Sequence, residues 1–113
     1  MSNTMKALVY EGPEKISLTD VPIPKIIEPD DAIVRVTTST ICGTDIHIWH
    51  GGMPEVAPGR IIGHEFVGEV VEVGPSVRNA KVGDKVAVSC VTQCGECFYC
   101  VRGTYSHCTT GSW

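Results

Sequence analysis

A positive charge balance is missing from this sequence: 9 Lys+Arg stand against 13 Asp+Glu, a formal charge of −4 at pH 7. A general nucleic-acid binder needs a basic face to neutralise phosphates, so no nucleic-acid partner is expected. Also missing is any apolar run near the ~20 residues that span a bilayer. Met1–Lys6 is not followed by the apolar core of a signal peptide. The expectation is a soluble, cytoplasmic chain without a membrane partner. No Gly-x-Gly-x-x-Gly follows a strand-like run, so no dinucleotide-binding unit is expected in these residues. Internal repeats and low-complexity tracts are lacking too.

What is present suffices for one domain. The chain has 113 residues, 42% of them apolar and 19% charged, which is enough to bury a core and too apolar for a disordered tail. Six cysteines would suggest a disulfide scaffold in a secreted protein. Without a signal peptide, metal or redox chemistry is the better reading. Cys42 and Cys90 stand apart, whereas Cys94, Cys97, Cys100 and Cys108 are grouped as ligands would be.

Strand-like stretches dominate the first half. Met5–Tyr10 and Lys15–Leu18 flank a Gly12-Pro13 turn, and Pro22, Pro24 and Pro29 predict an extended, irregular connection. Ala32–Thr37 is β-branched, with Arg35 expected to face solvent between Val34 and Val36. Thr44–His50 is the one helix candidate, closed by Gly51-Gly52 and Pro54. Ile61–Val73 and Lys85–Val91 resume strand character, with Gly63 and Gly68 as bulge or close-approach positions and one face of Glu69–Val73 wet. From Thr92 onward cysteine, glycine and polar residues suit a lobe held by metal. Short strands at short spacing with one brief helix predict a mainly β fold, a small barrel.

Cys94-x2-Cys97-x2-Cys100-x7-Cys108 is the strongest local signal. Two residues between thiols let the backbone curl around a metal with both sulfurs inward, and a fourth thiolate closes a tetrahedron. Gly95 and Gly103 supply backbone freedom for that wrapping, and backbone N–H groups and Arg102 are expected to ease the negative charge. A closed four-thiolate shell leaves no vacancy for substrate, so this zinc would be structural. Two alternatives stay open. An iron–sulfur run would continue with x3-Cys-Pro, but seven residues intervene here and Thr109 follows; disulfides or free thiols are the other. His107 offers a further nitrogen beside a shell that four cysteines already fill, and Cys90 reads as a small buried core residue.

The second group is dispersed: Cys42-Gly43-Thr44-Asp45-x-His47, then Gly63-His64-Glu65. Alone, a cysteine in an apolar Thr-Ile-Cys setting is usually core, and a lone histidine is usually hydrogen-bonded scaffold. Together they offer zinc a thiolate and an imidazole, with carboxylates near enough in sequence to orient them.

Gly63-His64-Glu65-x2-Gly68-x5-Gly74-x2-Val77 resembles the signature of zinc-containing alcohol dehydrogenases in the medium-chain dehydrogenase superfamily. So do Cys42–Gly51, Val82-Gly83-Asp84-Lys85-Val86 and the four-cysteine lobe, in the family's order. The resemblance implies a GroES-like, partly open β-barrel over 1–113 with a zinc lobe at 92–111, and alcohol–carbonyl interconversion by hydride transfer to NAD or NADP. It implies two zinc ions, one structural and one catalytic, and a small alcohol or carbonyl substrate; a homo-oligomer is expected because a barrel without its closing strands exposes backbone edge and apolar surface. It gives Cys42 and His64 as catalytic-zinc ligands, Glu65 beside the metal, and Asp45 behind the His64 ring. Thr44 would hydrogen-bond the alcohol oxygen, and His47 would pass its proton toward solvent. Trp49, Met53 and Pro54 would line the pocket entrance. The family's nucleotide-binding domain, its remaining catalytic-zinc ligand and its last barrel strands have no counterpart here. The expectation is therefore an N-terminal portion, inactive alone; a free-standing zinc-binding module without turnover is the competing reading.

Overall fold

The computed structural model describes residues 3–111. In chain order they form β1 (Thr4–Gly12), β2 (Lys15–Pro22), β3 (Ala32–Ser39), α1 (Gly43–Trp49), β4 (Arg60–Ile61), β5 (Phe66–Val73) and β6 (Lys85–Val88). Two single turns of 3₁₀ helix follow, Cys100–Arg102 and Tyr105–His107. The described strands make two open antiparallel sheets, β2-β1-β4 and β3-β5-β6, so the mainly β expectation holds and the barrel does not close.

β1 shows period-two burial: Ala7 and Val9 face inward while Lys6 and Leu8 do not. Lys6 lies opposite Asp20 in β2, and their side chains pair at 2.8 Å in solvent. The hairpin turns at Gly12-Pro13-Glu14, as the dipeptide predicts. Tyr10, Ile48 and Val70 are buried with Ala7 and Val9, but Leu18, Ile27 and Ile41 are 69%, 84% and 73% exposed. Arg35 faces solvent and pairs with Glu69 at 3.0 Å; Val36, expected inside, is half exposed. In Glu69–Val73 the alternation is mixed, with Val70 buried and Val71 and Glu72 exposed.

The predicted strand Ile61–Val73 is two strands separated by Ile62–Glu65. Its start belongs to the first sheet, where the Ile62 N–H donates to the Leu8 carbonyl at 3.0 Å. Its continuation from Phe66 pairs with β3 and β6. Gly63, with φ +110°, makes the turn between sheets that an L-residue would resist. His64 and Glu65 thus sit where the chain crosses from one sheet to the other. Gly68 is the close approach: a Cβ there would meet the Arg35 carbonyl oxygen, beside a register shift at Val36/Thr38.

β6 ends at Val88, short of the predicted Val91. Its last partner is Phe66, the first residue of β5, and the Ser89 hydroxyl accepts from the Val91 N–H at 3.1 Å, offering the backbone a turn instead of a ladder. Cys90 is consequently exposed, correcting its reading as core.

Candidate metal centres

The four sulfurs of Cys94, Cys97, Cys100 and Cys108 lie within 4.8 Å of one another. Backbone N–H groups point at them: Cys94 donates to Cys108 Sγ at 3.3 Å, Cys97 to Cys94 Sγ at 3.3 Å, Cys100 to Cys97 Sγ at 3.4 Å and Gly111 to Cys108 Sγ at 3.2 Å. Sulfurs that accept in this way are stabilised as thiolates. The N–H groups of Cys94 and Thr110 hold Cys108 down to about 5, and those of Thr109 and Cys100 bring Cys97 to about 7. Burial pushes Cys100 the other way, to about 12, reinforced by its neighbouring sulfurs. Four converging soft donors with N–H support fit one closed tetrahedral zinc. Arg102 does not serve the sulfurs: its Nη1 donates to the Phe98 carbonyl at 2.9 Å and its guanidinium lies 3.7 Å over the Phe98 ring. His107 lies outside the sulfur cluster, beside Ser106 and Tyr99.

The dispersed group also comes together. Ligand atoms of Cys42, His64 and Glu65 lie within 4.8 Å of one another. Cys42 is the N-cap of α1, with its Sγ accepting from the Thr44 N–H at 3.5 Å, and Asp45 Oδ2 accepts from the Cys42 N–H at 3.0 Å. That reciprocal pair is a capping box in which a thiol replaces the usual hydroxyl. The helix starts at Gly43, one residue before the predicted Thr44. The Glu65 carbonyl accepts from the Thr40 N–H at 3.2 Å and from Ser39 Oγ at 3.1 Å, fixing the crossover segment against the end of β3.

Asp45 joins the two pieces. It is 8% exposed, and its Oδ1, buried and without a hydrogen-bond partner, lies 3.3 Å from His64 Nδ1. A proton on Nδ1 answers that oxygen and leaves Nε2 to act as a ligand. The Thr44 N–H, with help from the Thr44 hydroxyl and His64, lowers Cys42 from its ordinary range. Cys42 in turn raises His64, against the effect of burial. The donor set of thiolate, imidazole and carboxylate, with an unanswered oxygen behind the ring, fits zinc.

Thr44 is exposed, its hydroxyl 3.7 Å from Cys42 Sγ. His47 is exposed too, its ring against Gly52; among the described residues no hydrogen bond links it to Thr44. His50 is exposed, 3.7 Å from Glu14 Oε1. A cleft of about 460 Å³ opens beside Thr44 and His64, bounded also by Met53, Arg60, Cys90 and Tyr105. Sequence reasoning names Met53 but misses Arg60 of β4, Cys90 after β6 and Tyr105 of the lobe, because only tertiary folding brings these distant segments to one cleft. Trp49 lines a separate apolar cavity of about 320 Å³ with Leu8, Ile16 and Ile46, and Pro54 borders neither.

Residues 28–113 match the family described as the alcohol dehydrogenase GroES-like domain. The chain is 44% identical over 106 residues to zinc-type alcohol dehydrogenase B of Aspergillus flavus, covering 94% of this chain and 24% of that protein. It superimposes on zinc-dependent alcohol dehydrogenase 2 of Streptococcus pneumoniae, solved in its apo form, with a TM-score of 0.89 and 51% identity over 96% of this chain and 32% of that one. A zinc-binding dehydrogenase of Sinorhizobium meliloti bound to NADP gives 0.78 and 38% over 97% and 32%. The chain thus spans between a quarter and a third of the length of these proteins. Among the described residues no helix is long and apolar enough to cross a membrane.

Proposed function

The chain belongs to the alcohol dehydrogenase GroES-like domain family, and on that premise we propose that it is the N-terminal catalytic part of a zinc-dependent alcohol dehydrogenase. The carrying observation is the convergence of Cys42, His64 and Glu65 in front of the buried Asp45 carboxylate. Residues 1–113 would form an incomplete barrel domain with the zinc lobe at 92–111, and the nucleotide-binding unit would be a separate domain of a longer polypeptide. Residues 1, 2, 112 and 113 lie outside the described structure.

Bound zinc supplies Lewis acidity toward an alcohol oxygen, and NAD or NADP supplies the hydride acceptor. The chain's own residues do the rest. Cys42 and His64 would hold the ion, and Asp45 Oδ1, 3.3 Å from Nδ1, would accept the ring proton and so orient the imidazole. Glu65 is near enough to Cys42 and His64 that it would serve as a third ligand. Thr44, at the cleft wall, would offer its hydroxyl to the alcohol oxygen, and exposed His47 would take the proton to water only once a hydrogen-bonded path joins it to Thr44. The cleft is roomy enough to admit a small alcohol or carbonyl compound. Cys94, Cys97, Cys100 and Cys108 would hold the second zinc, whose role would be structural. Tyr105 and Cys108 of the lobe line the cleft, so an ordered lobe completes its wall.

Measuring alcohol-dependent reduction of NAD and NADP by a polypeptide that joins this chain to a nucleotide-binding domain tests the reading. Turnover that is lost in Cys42→Ser, with none from the 113 residues alone, is the expected result. Turnover that survives Cys42→Ser undiminished would refute it.

A further inference from the structure

Beyond the candidate ligands, the tip of the hairpin between β1 and β2 makes contacts with the end of α1 that its own ladder does not require. The Glu14 N–H donates to the carbonyl of Trp49, the last residue of α1, at 2.6 Å. Among the described residues Glu14 is the non-glycine residue with a positive φ, +60°. That conformation is unfavourable for an L-residue; the tight turn between Gly12 and Lys15 requires it, and it aims the Glu14 N–H at α1. Beside it, Pro13 packs on Gly51 so closely that a Cβ on Gly51 would stand 2.9 Å from Pro13 Cγ. Gly51 is itself left-handed, φ +77°, and its N–H closes the helix on the Ile48 carbonyl at 2.8 Å.

Helix α1 has seven residues, two turns, and cannot stand alone. Its first residues are the candidate machinery: Cys42 at the cap, then Thr44 and Asp45. Its far end is held by residues 13 and 14. We infer that the tip of the β1–β2 hairpin is a clamp on α1, with Glu14 a positioning residue that sets the place of Cys42 and Asp45 through the helix. The holding group is the backbone of residue 14 in its left-handed turn. The Glu14 carboxylate, 3.7 Å from His50 and exposed, contributes little. Only the second of the two readouts below rests on Cys42 being a zinc ligand.

Three variants separate the elements of the clamp. Glu14→Gly keeps the left-handed turn and its N–H while deleting the carboxylate. Glu14→Val opposes the turn, because a β-branched residue resists positive φ. Gly51→Ala attacks the same contact from the helix side and serves where Glu14→Val does not fold. The first readout is amide hydrogen exchange over residues 43–51, with the β3–β5 ladder as internal reference. The second is the rate at which a chelator removes zinc from the Cys42 site, with the four-cysteine site as reference.

In Glu14→Val and Gly51→Ala, helix exchange and Cys42-site release are both expected to rise roughly tenfold while the references stay put, and Glu14→Gly is expected to match the parent chain. Unchanged helix exchange in Glu14→Val and Gly51→Ala overturns the clamp. So does equal acceleration of the references, or a Glu14→Gly variant as loose as Glu14→Val. Faster helix exchange with unaltered zinc release retains the clamp and overturns its coupling to the site; absence of zinc at Cys42 in the parent chain counts against the functional reading instead.

Discussion

Asp45 Oδ1 lies 3.3 Å from His64 Nδ1, while the other oxygen of the same carboxylate accepts the Cys42 N–H at 3.0 Å. One buried side chain therefore governs both the helix cap that presents the thiol and the ring that faces it. Removing it as Asp45→Ala leaves a cap donor unanswered and frees the imidazole. The expected loss is about 1–3 kcal/mol in urea unfolding and ten- to hundredfold in zinc affinity at the Cys42 site, on the scale of lost outer-shell partners. Zinc at the four-cysteine site should be untouched, which separates this effect from general unfolding.

The lobe should depend on its metal. Apart from Cys100 it buries little: Phe98, Val101 and Tyr105 are 62%, 64% and 47% exposed. Cys97→Ser is expected to release zinc and to leave residues 92–111 disordered, read by metal analysis and by loss of amide protection. Retained zinc with an ordered lobe would show that apolar packing holds it after all.

Acid should strip that site. In the ordered lobe N–H donors hold Cys108 down to about 5 and Cys97 at about 7, while burial pushes Cys100 up to about 12. Zinc binding at pH 7 should therefore release protons from the sulfurs, and between pH 7 and pH 5 the apparent affinity should fall as protons compete with the metal for the thiolates. Zinc titrations in weak buffer measure the proton count directly; an affinity flat from pH 7 to pH 5 would contradict it.

The open sheets carry an expectation about association. β2 and β4 are the outer strands of one sheet and β3 and β6 of the other, and Leu18, Ile27 and Ile41 present apolar surface to solvent. Sedimentation at about 10–100 µM, a working range for surface-driven association, should show dimers or larger species. A monodisperse monomer would mean these surfaces are too scattered to bind one another.

Local chemistry was the legible part of the sequence. The four-cysteine spacing predicts its cluster because ligand geometry is set within fifteen residues, and the Gly12-Pro13 turn and the helix near Thr44 follow from turn and cap residues. Tertiary pairing was not legible. The division of Ile61–Val73 depends on which sheet offers partners at each residue, and periodicity cannot report that. Cys90 reads as core in a strand that the Ser89 turn cuts short. Arg102 reads as a counter-charge because sequence distance hides its stacking on Phe98. The nearness of Cys42 to His64 was supplied by family resemblance; spacing alone left it one reading among others.

The account turns on whether Cys42 and His64 hold a second, exchangeable zinc. Counting zinc per chain while a chelator is added in steps, in the parent and in Cys42→Ser, addresses this most directly. The parent is expected to bind two ions, one lost early and one resistant, and Cys42→Ser only the resistant one. A single resistant zinc in both chains, even with zinc in excess, would contradict the account.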